Sequence, residues 1–196
     1  MKWFQPLECD NTVENPLVCD YDNLEDIGFN ENDFKMGKRI ERWDNNVFFQ
    51  AKEKEDDGEP DDALQSSSML PIYSERLVNE LKKEKINGIQ YLPARILRPN
   101  NMEIKGFSLV NILNFIKAFN YEKSNYNRFR DDFPNPKVQG KLAGVTKYVL
   151  HKDKLLGMDI IRLADYKQSF FVSEKIKMIF ERNNFTGYSF KEIELT

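Results

Sequence analysis

Two Ser-Glu pairs, Ser74-Glu75 and Ser173-Glu174, are the first residues in this chain whose types and spacing invite a chemical reading. A serine beside a carboxylate suggests a nucleophile and its base. Neither pair has a histidine nearby, and neither serine sits in a G-x-S-x-G turn, so the hydroxyl lacks the group that would activate it. A helix start accounts for both residues. A Ser oxygen satisfies an otherwise unpaired N–H of the first turn, and a following Glu meets the positive end of the helix dipole.

Other chemistry is equally thin. His151 is the single histidine and lies in the charged run His151-Lys152-Asp153-Lys154, a surface pattern. The glycine-rich signatures that cradle phosphates, G-x-G-x-x-G and G-x-x-x-x-G-K-[ST], are absent. Two carboxylates at any sequence separation can serve a glycosidase, but nothing selects a pair here. Cys9 and Cys19 are the only cysteines and form no C-x-x-C; they allow a single disulfide, but fit better as two free thiols in a reducing cytoplasm. The densest carboxylate run, Glu53 to Asp62, lacks the ligand spacing of a calcium loop. The sequence therefore assigns no catalytic residue, no metal site and no cofactor.

Charge is unevenly shared. Residues 1–69 carry 18 acidic against 7 basic side chains, a balance of −11, whereas residues 70–196 carry 14 against 22, a balance of +8. The net −3 thus conceals a dipolar chain whose acidic segment favours a basic partner. The basic stretch 117–154 interleaves Lys and Arg with Tyr121, Tyr126, Phe129 and Phe133, a composition that could hold single-stranded nucleic acid. No RNA-binding module signature accompanies it, so nucleic acid stays the alternative reading.

The elements that must position these residues include a repeated one. Ile72-Tyr73-Ser74-Glu75-Arg76-Leu77 leads to Asn87-Gly88-Ile89-Gln90-Tyr91. Phe171-Val172-Ser173-Glu174-Lys175-Ile176 leads to Thr186-Gly187-Tyr188-Ser189-Phe190 at a constant offset of 99 residues. Tyr73, Leu77 and Leu81 correspond to Val172, Ile176 and Phe180, an i, i+4 apolar stripe kept in both copies. Each copy reads as a short helix capped by Ser, a positive-φ Gly88 or Gly187, and a strand.

Elsewhere the patterning predicts a strand at Val47-Phe48-Phe49 and a hairpin from Ile89–Leu97 to Glu103–Val110. It places a helix over 111–119, from the 3-1-3 spacing of Ile112, Phe115, Ile116 and Phe119. Residues 120–141 read as loop. Strands follow at 145–150, 160–163 and 188–195, and residues 1–36 read as short strands and loops. The expected fold is α+β: a mixed or antiparallel sheet with a duplicated helix–strand unit (about 72–91 and 171–190). One domain spans 1–196, with the acidic residues 1–69 and the repeat-containing residues 70–196 as candidate lobes.

Taken together, the motifs resemble the myxobacterial-type immunity protein family of bacterial polymorphic-toxin systems. The resemblance rests on Gly37-Lys38-Arg39-Ile40 with Trp43, on Pro60-Asp61, and on Leu70-Pro71-Ile72-Tyr73-Ser74-Glu75-Arg76-Leu77. Gly88-Ile89-Gln90-Tyr91, Leu109 to Leu113, Glu122-Lys123-Ser124 and the block from Phe171 through Phe190 continue it. It covers residues 37–191. The resemblance implies a cytoplasmic, non-catalytic immunity protein that binds and neutralises a cognate toxin; separately, no apolar run approaches the roughly 20 residues of a membrane span, so no membrane partner is expected. Many such toxins are basic, which makes the acidic loop the candidate contact: Glu55, Asp56, Asp57, Glu59, Asp61 and Asp62.

Overall fold

The computed structural model describes residues 1–8, 16–52 and 58–196. The chain forms β1 (Trp3–Glu8), β2 (Val18–Asp22), a one-turn α1 (Glu31–Lys35), β3 (Phe48–Ala51), β4 (Ala63–Ser66) and β5 (Ile72–Ser74). Then come α2 (Glu75–Lys83), β6 (Ile89–Leu97), β7 (Glu103–Ile112), β8 (Phe115–Ile116), β9 (Asn125–Arg128) and β10 (Leu142–Lys147). The chain continues through β11 (Val149–Leu150), β12 (Ile160–Leu163), β13 (Phe170–Ser173), α3 (Glu174–Asn183) and β14 (Tyr188–Leu195). The architecture is thus mixed helix and sheet, dominated by strands.

Six strands close a barrel in the order β2-β3-β6-β7-β5-β4. Its β3–β6 and β2–β4 contacts are parallel and the others antiparallel. A second sheet runs β11-β14-β1-β13-β12-β8, and β9 pairs with β10 as a two-stranded ribbon. Each large sheet draws on both sides of position 69. β1 lies between β13 and β14, while β5, β6 and β7 complete the barrel begun by β2, β3 and β4.

Strand alternation builds three cores. On β7, Phe107 and Leu109 face the barrel interior, with Phe49, Ile72 and Ile96, while Val110 and Ile112 face outward beneath the helices. That outer layer joins Leu77 and Leu81 of α2 to Ile176 and Phe180 of α3, and to Phe4 and Val172 of the six-stranded sheet. The sheet's far face carries Trp3, Ile161 and Phe171, covered by Phe119, Tyr148 and Leu155. The apolar stripe predicted for each helix therefore seals the junction between barrel and sheet.

Two expectations change. The 111–119 helix is instead the end of β7, the short β8 and an isolated bridge at Phe119. Its apolar residues do not share one face: Ile112 enters the layer beneath the helices and Phe119 enters the core beyond the sheet. Asn111, at the start of the expected helix, is buried within the strand and donates from Nδ2 to the Lys38 carbonyl and to Gln90 Oε1 at 2.8 and 3.0 Å. The segment 120–141 also carries β9, which finds its partner in β10.

Candidate functional site

The end of the acidic run folds inward. Asp62 is 7% exposed, and its Oδ1 accepts from Ser74 Oγ at 2.6 Å and from Arg76 Nε at 3.1 Å. Its Oδ2 takes a second Arg76 bond and one from the Thr186 N–H at 3.2 Å. The Asp62 N–H donates to Thr186 Oγ1 at 3.1 Å, and the Ala63 N–H to the Thr186 carbonyl at 3.1 Å. One carboxylate thus ties the start of α2 to the turn that precedes β14. Ser74 also caps α2, accepting from the Leu77 N–H at 3.2 Å. Arg76 stacks over Phe185 at 4.6 Å, which orients the guanidinium that Asp62 receives.

The second Ser stands at the same place before α3 but is bonded differently. Ser173 is the N-cap residue by position, yet its side chain makes no cap bond; its hydroxyl donates to Asp159 Oδ1 at 3.0 Å. The Ser74 and Ser173 N–H groups each reach an Asp carbonyl, of Asp62 at 2.8 Å and of Asp159 at 2.7 Å. Glu75 and Glu174 are exposed in their first turns. Gly88 and Gly187 both hold positive φ, at +76° and +103°, but lie beyond the helix ends, which Lys85 and Asn184 turn at φ 57° and 51°. Gly187 is packed so tightly that a Cβ would sit 2.1 Å from the Ala63 carbonyl oxygen.

Of the acidic residues singled out as a contact, Glu55, Asp56 and Asp57 lie outside the described residues. Glu59 is exposed, and its carbonyl accepts from the Leu17 N–H at 3.0 Å. Asp61 and Asp62 are buried. Arg98 supports the segment by donating to the Gly58 carbonyl at 2.8 Å. A second set of acidic residues, which no sequence motif announces, lies on β2 and in the turn after it: Asp20, Glu25 and Asp26 are exposed and Asp22 is half-buried. Burial, and then the charges of Glu31 and Glu25, push the Asp22 carboxyl above the ordinary carboxylate range, against the Leu24 N–H bond that favours its charge. Asp20 faces Lys52 at 3.9 Å, and Asp26 accepts a hydrogen bond from the Tyr21 hydroxyl.

Cys19 faces the barrel interior as a free thiol, and burial, with the nearby Asp22 charge, pushes it up to about 12. Among the described residues, no three His, Cys, Asp or Glu side chains group to hold a metal ion. No helix among them is long and apolar enough to cross a membrane.

The basic aromatic stretch is largely occupied with itself. Phe119 packs edge-on against Tyr121, Tyr126 and Tyr148 at centroid distances of 4.9, 5.6 and 6.2 Å. Arg128 lies over Tyr121 and Tyr126 at 5.1 and 5.2 Å. Bases bind single-strand proteins by stacking on free ring faces, and these rings already have partners, so the nucleic-acid reading gains no support here.

One further group is unusual. Arg162 on β12 is 1% exposed, and its guanidinium donates to the Lys167 carbonyl at 2.6 Å and lies 5.7 Å from the Phe170 ring centre. Its Nε meets no acceptor among the described residues. Burial lowers its pKa to about 10, opposed by the nearby hydroxyls of Tyr188 and Tyr73.

A family model described as the Immunity protein family (Imm11) matches residues 4–195. The match spans nearly the whole chain, including β1 from Phe4 onward, which lies outside the motif resemblance. The chain belongs to this immunity protein family. Among curated proteins, none matches it.

Proposed function

We propose that this chain is the cytoplasmic, non-catalytic inhibitor of a toxin encoded beside it in a polymorphic-toxin system, and that it acts by binding that toxin directly. The family match over residues 4–195 carries this reading. The −11 balance of residues 1–69 argues for a basic toxin, because complementary charge steers encounter and penalises wrong partners. Glu55, Asp56, Asp57 and Glu59 form the proposed contact. Asp61 and Asp62 mark the end at which this segment is held to the fold.

We also read the β5–α2–β6 and β13–α3–β14 stretches as a duplicated unit. The paired Asp–Ser contacts, Asp62 with Ser74 and Asp159 with Ser173, support that reading.

Association kinetics with the toxin test the contact. A variant carrying Glu55→Gln, Asp56→Asn, Asp57→Asn and Glu59→Gln should associate about tenfold more slowly at low salt, with a flatter dependence on ionic strength. Unchanged association would remove this segment from the interface while leaving the family assignment intact.

A further inference from the structure

We propose that the groove between the barrel and the six-stranded sheet receives an uncharged apolar side chain of the toxin and forms the apolar centre of that interface. This inference rests on the toxin-binding reading and adds a second contact to the acidic segment. Leu7 of β1 lines the groove from the sheet, and Met69, in the connection from β4 to β5, lines it from the barrel. They are 37% and 45% exposed. Leu70, Pro71 and Phe170 also line it, and its polar residues, Gln5 and Gln168 among them, are neutral. Among the described residues, no Asp, Glu, Lys, Arg or His lines the groove, although 31% of the chain is Asp, Glu, Lys or Arg. Loss of charge together with exposed Met and aromatic groups is the composition of an interface core rather than of ordinary surface.

Met69 adds an independent observation. Its φ is +56°, a left-handed backbone that glycine adopts without a Cβ clash. The turn by itself favours Gly or Asn at this position, and neither would hold a long apolar chain in water. A flexible thioether suits an irregular partner surface. The neutral lining defines the incoming group. A Lys or Arg side chain would be desolvated in the groove with no carboxylate to meet it, whereas an apolar one meets no such penalty. The family implies a toxin as the partner in general, and chain reach puts groove and acidic segment under one footprint. Leu64, which lines the groove, follows Glu59 by five residues, so the two lie within about 18 Å. A standard interface of about 800 Å2 per partner is roughly 30 Å across, which spans both. Charge on the segment then sets the rate of encounter, and the apolar contact sets how long the complex lasts.

Association and dissociation rates of the full chain on an immobilised layer of the purified product of the gene beside its own, the proposed toxin, test this. Met69→Gly removes the side chain and suits the left-handed backbone, so it should keep the urea unfolding midpoint. Leu7→Gln removes the apolar group without adding charge. Each variant should dissociate about tenfold faster, with association within about twofold of the parent and the same salt dependence. The acidic-segment variant should show the reverse pattern, so the two contacts are read separately. Unchanged dissociation of Met69→Gly, against a parent that binds, would overturn the groove as a contact and leave the toxin-binding reading standing. No binding by the parent would remove that reading and this inference together. A dimer of the chain that Leu7→Gln separates would assign the groove to a second copy and likewise overturn the proposal. Met69→Gly decides even where Leu7→Gln fails to fold.

Discussion

Replacing Asp62 by Ala would remove the carboxylate that joins the start of α2 to the turn before β14. The bond from Ser74 Oγ is worth about 1 kcal/mol. The Thr186 N–H would lose its partner in a partly buried place, at a cost of about 1–2 kcal/mol. Arg76 has a side chain 60% exposed, so its ion pair adds only about 0.5 kcal/mol after screening. The expected loss is about 3 kcal/mol, which at a urea slope of about 2 kcal/mol/M moves the unfolding midpoint down by about 1.5 M. Asp62→Asn keeps the shape and one acceptor, and should cost about half as much. Equilibrium urea unfolding of both variants reads these values. A loss below about 1 kcal/mol for Asp62→Ala would refute the assignment of this side chain as a structural tie.

Gly187→Ala should destabilise by about 2–4 kcal/mol, since the new Cβ meets the Ala63 carbonyl and φ is +103°. Gly28→Ala, at φ +90° with nothing within 4 Å, should cost about 1 kcal/mol by the same unfolding measurement. Asp22 has a folded pKa above its unfolded value, so its ionisation opposes folding as pH rises through the carboxylate range. Asp22→Asn should therefore be more stable than the parent at pH 7, and the gain should vanish below the unfolded carboxylate pKa; thermal melts across pH check this. In a Cys9→Ser background the Cys19 thiol, buried and raised to about 12, should react with a thiol reagent at pH 8 only as fast as the protein opens. Rapid labelling under native conditions would contradict its place in the barrel core.

Features that arise from chemistry within one helical turn were legible in the sequence. Ser74 and Glu75 marked the start of α2, and the stripe Tyr73, Leu77, Leu81 marked its buried side, because caps and i, i+4 neighbours need only a few residues. The β6–β7 hairpin was legible for the same reason, its strands joined by the turn at Arg98-Pro99-Asn100-Asn101. Features that depend on distant partners were not. Trp3 reads as an unremarkable terminal residue, yet it is fully buried because β1 pairs with β13 and β14, whose residues lie more than 160 positions away. Asp62 looked like one more charge in an acidic run, and its role depends on Thr186, 124 residues on. Ile112, Phe115, Ile116 and Phe119 imitate a helical stripe, although Ile112 enters one core and Ile116 and Phe119 another. Arg162 escaped for a related reason: its burial and neighbours are set by folding, and residue type alone carries no trace of either.

The most direct test of the proposed function is co-expression of the tagged chain with the product of the gene beside its own, the proposed toxin. The account predicts a 1:1 complex that survives a salt wash, together with growth of cells that the toxin alone arrests. Absence of both complex and rescue would contradict the claim that this protein neutralises its toxin by binding it.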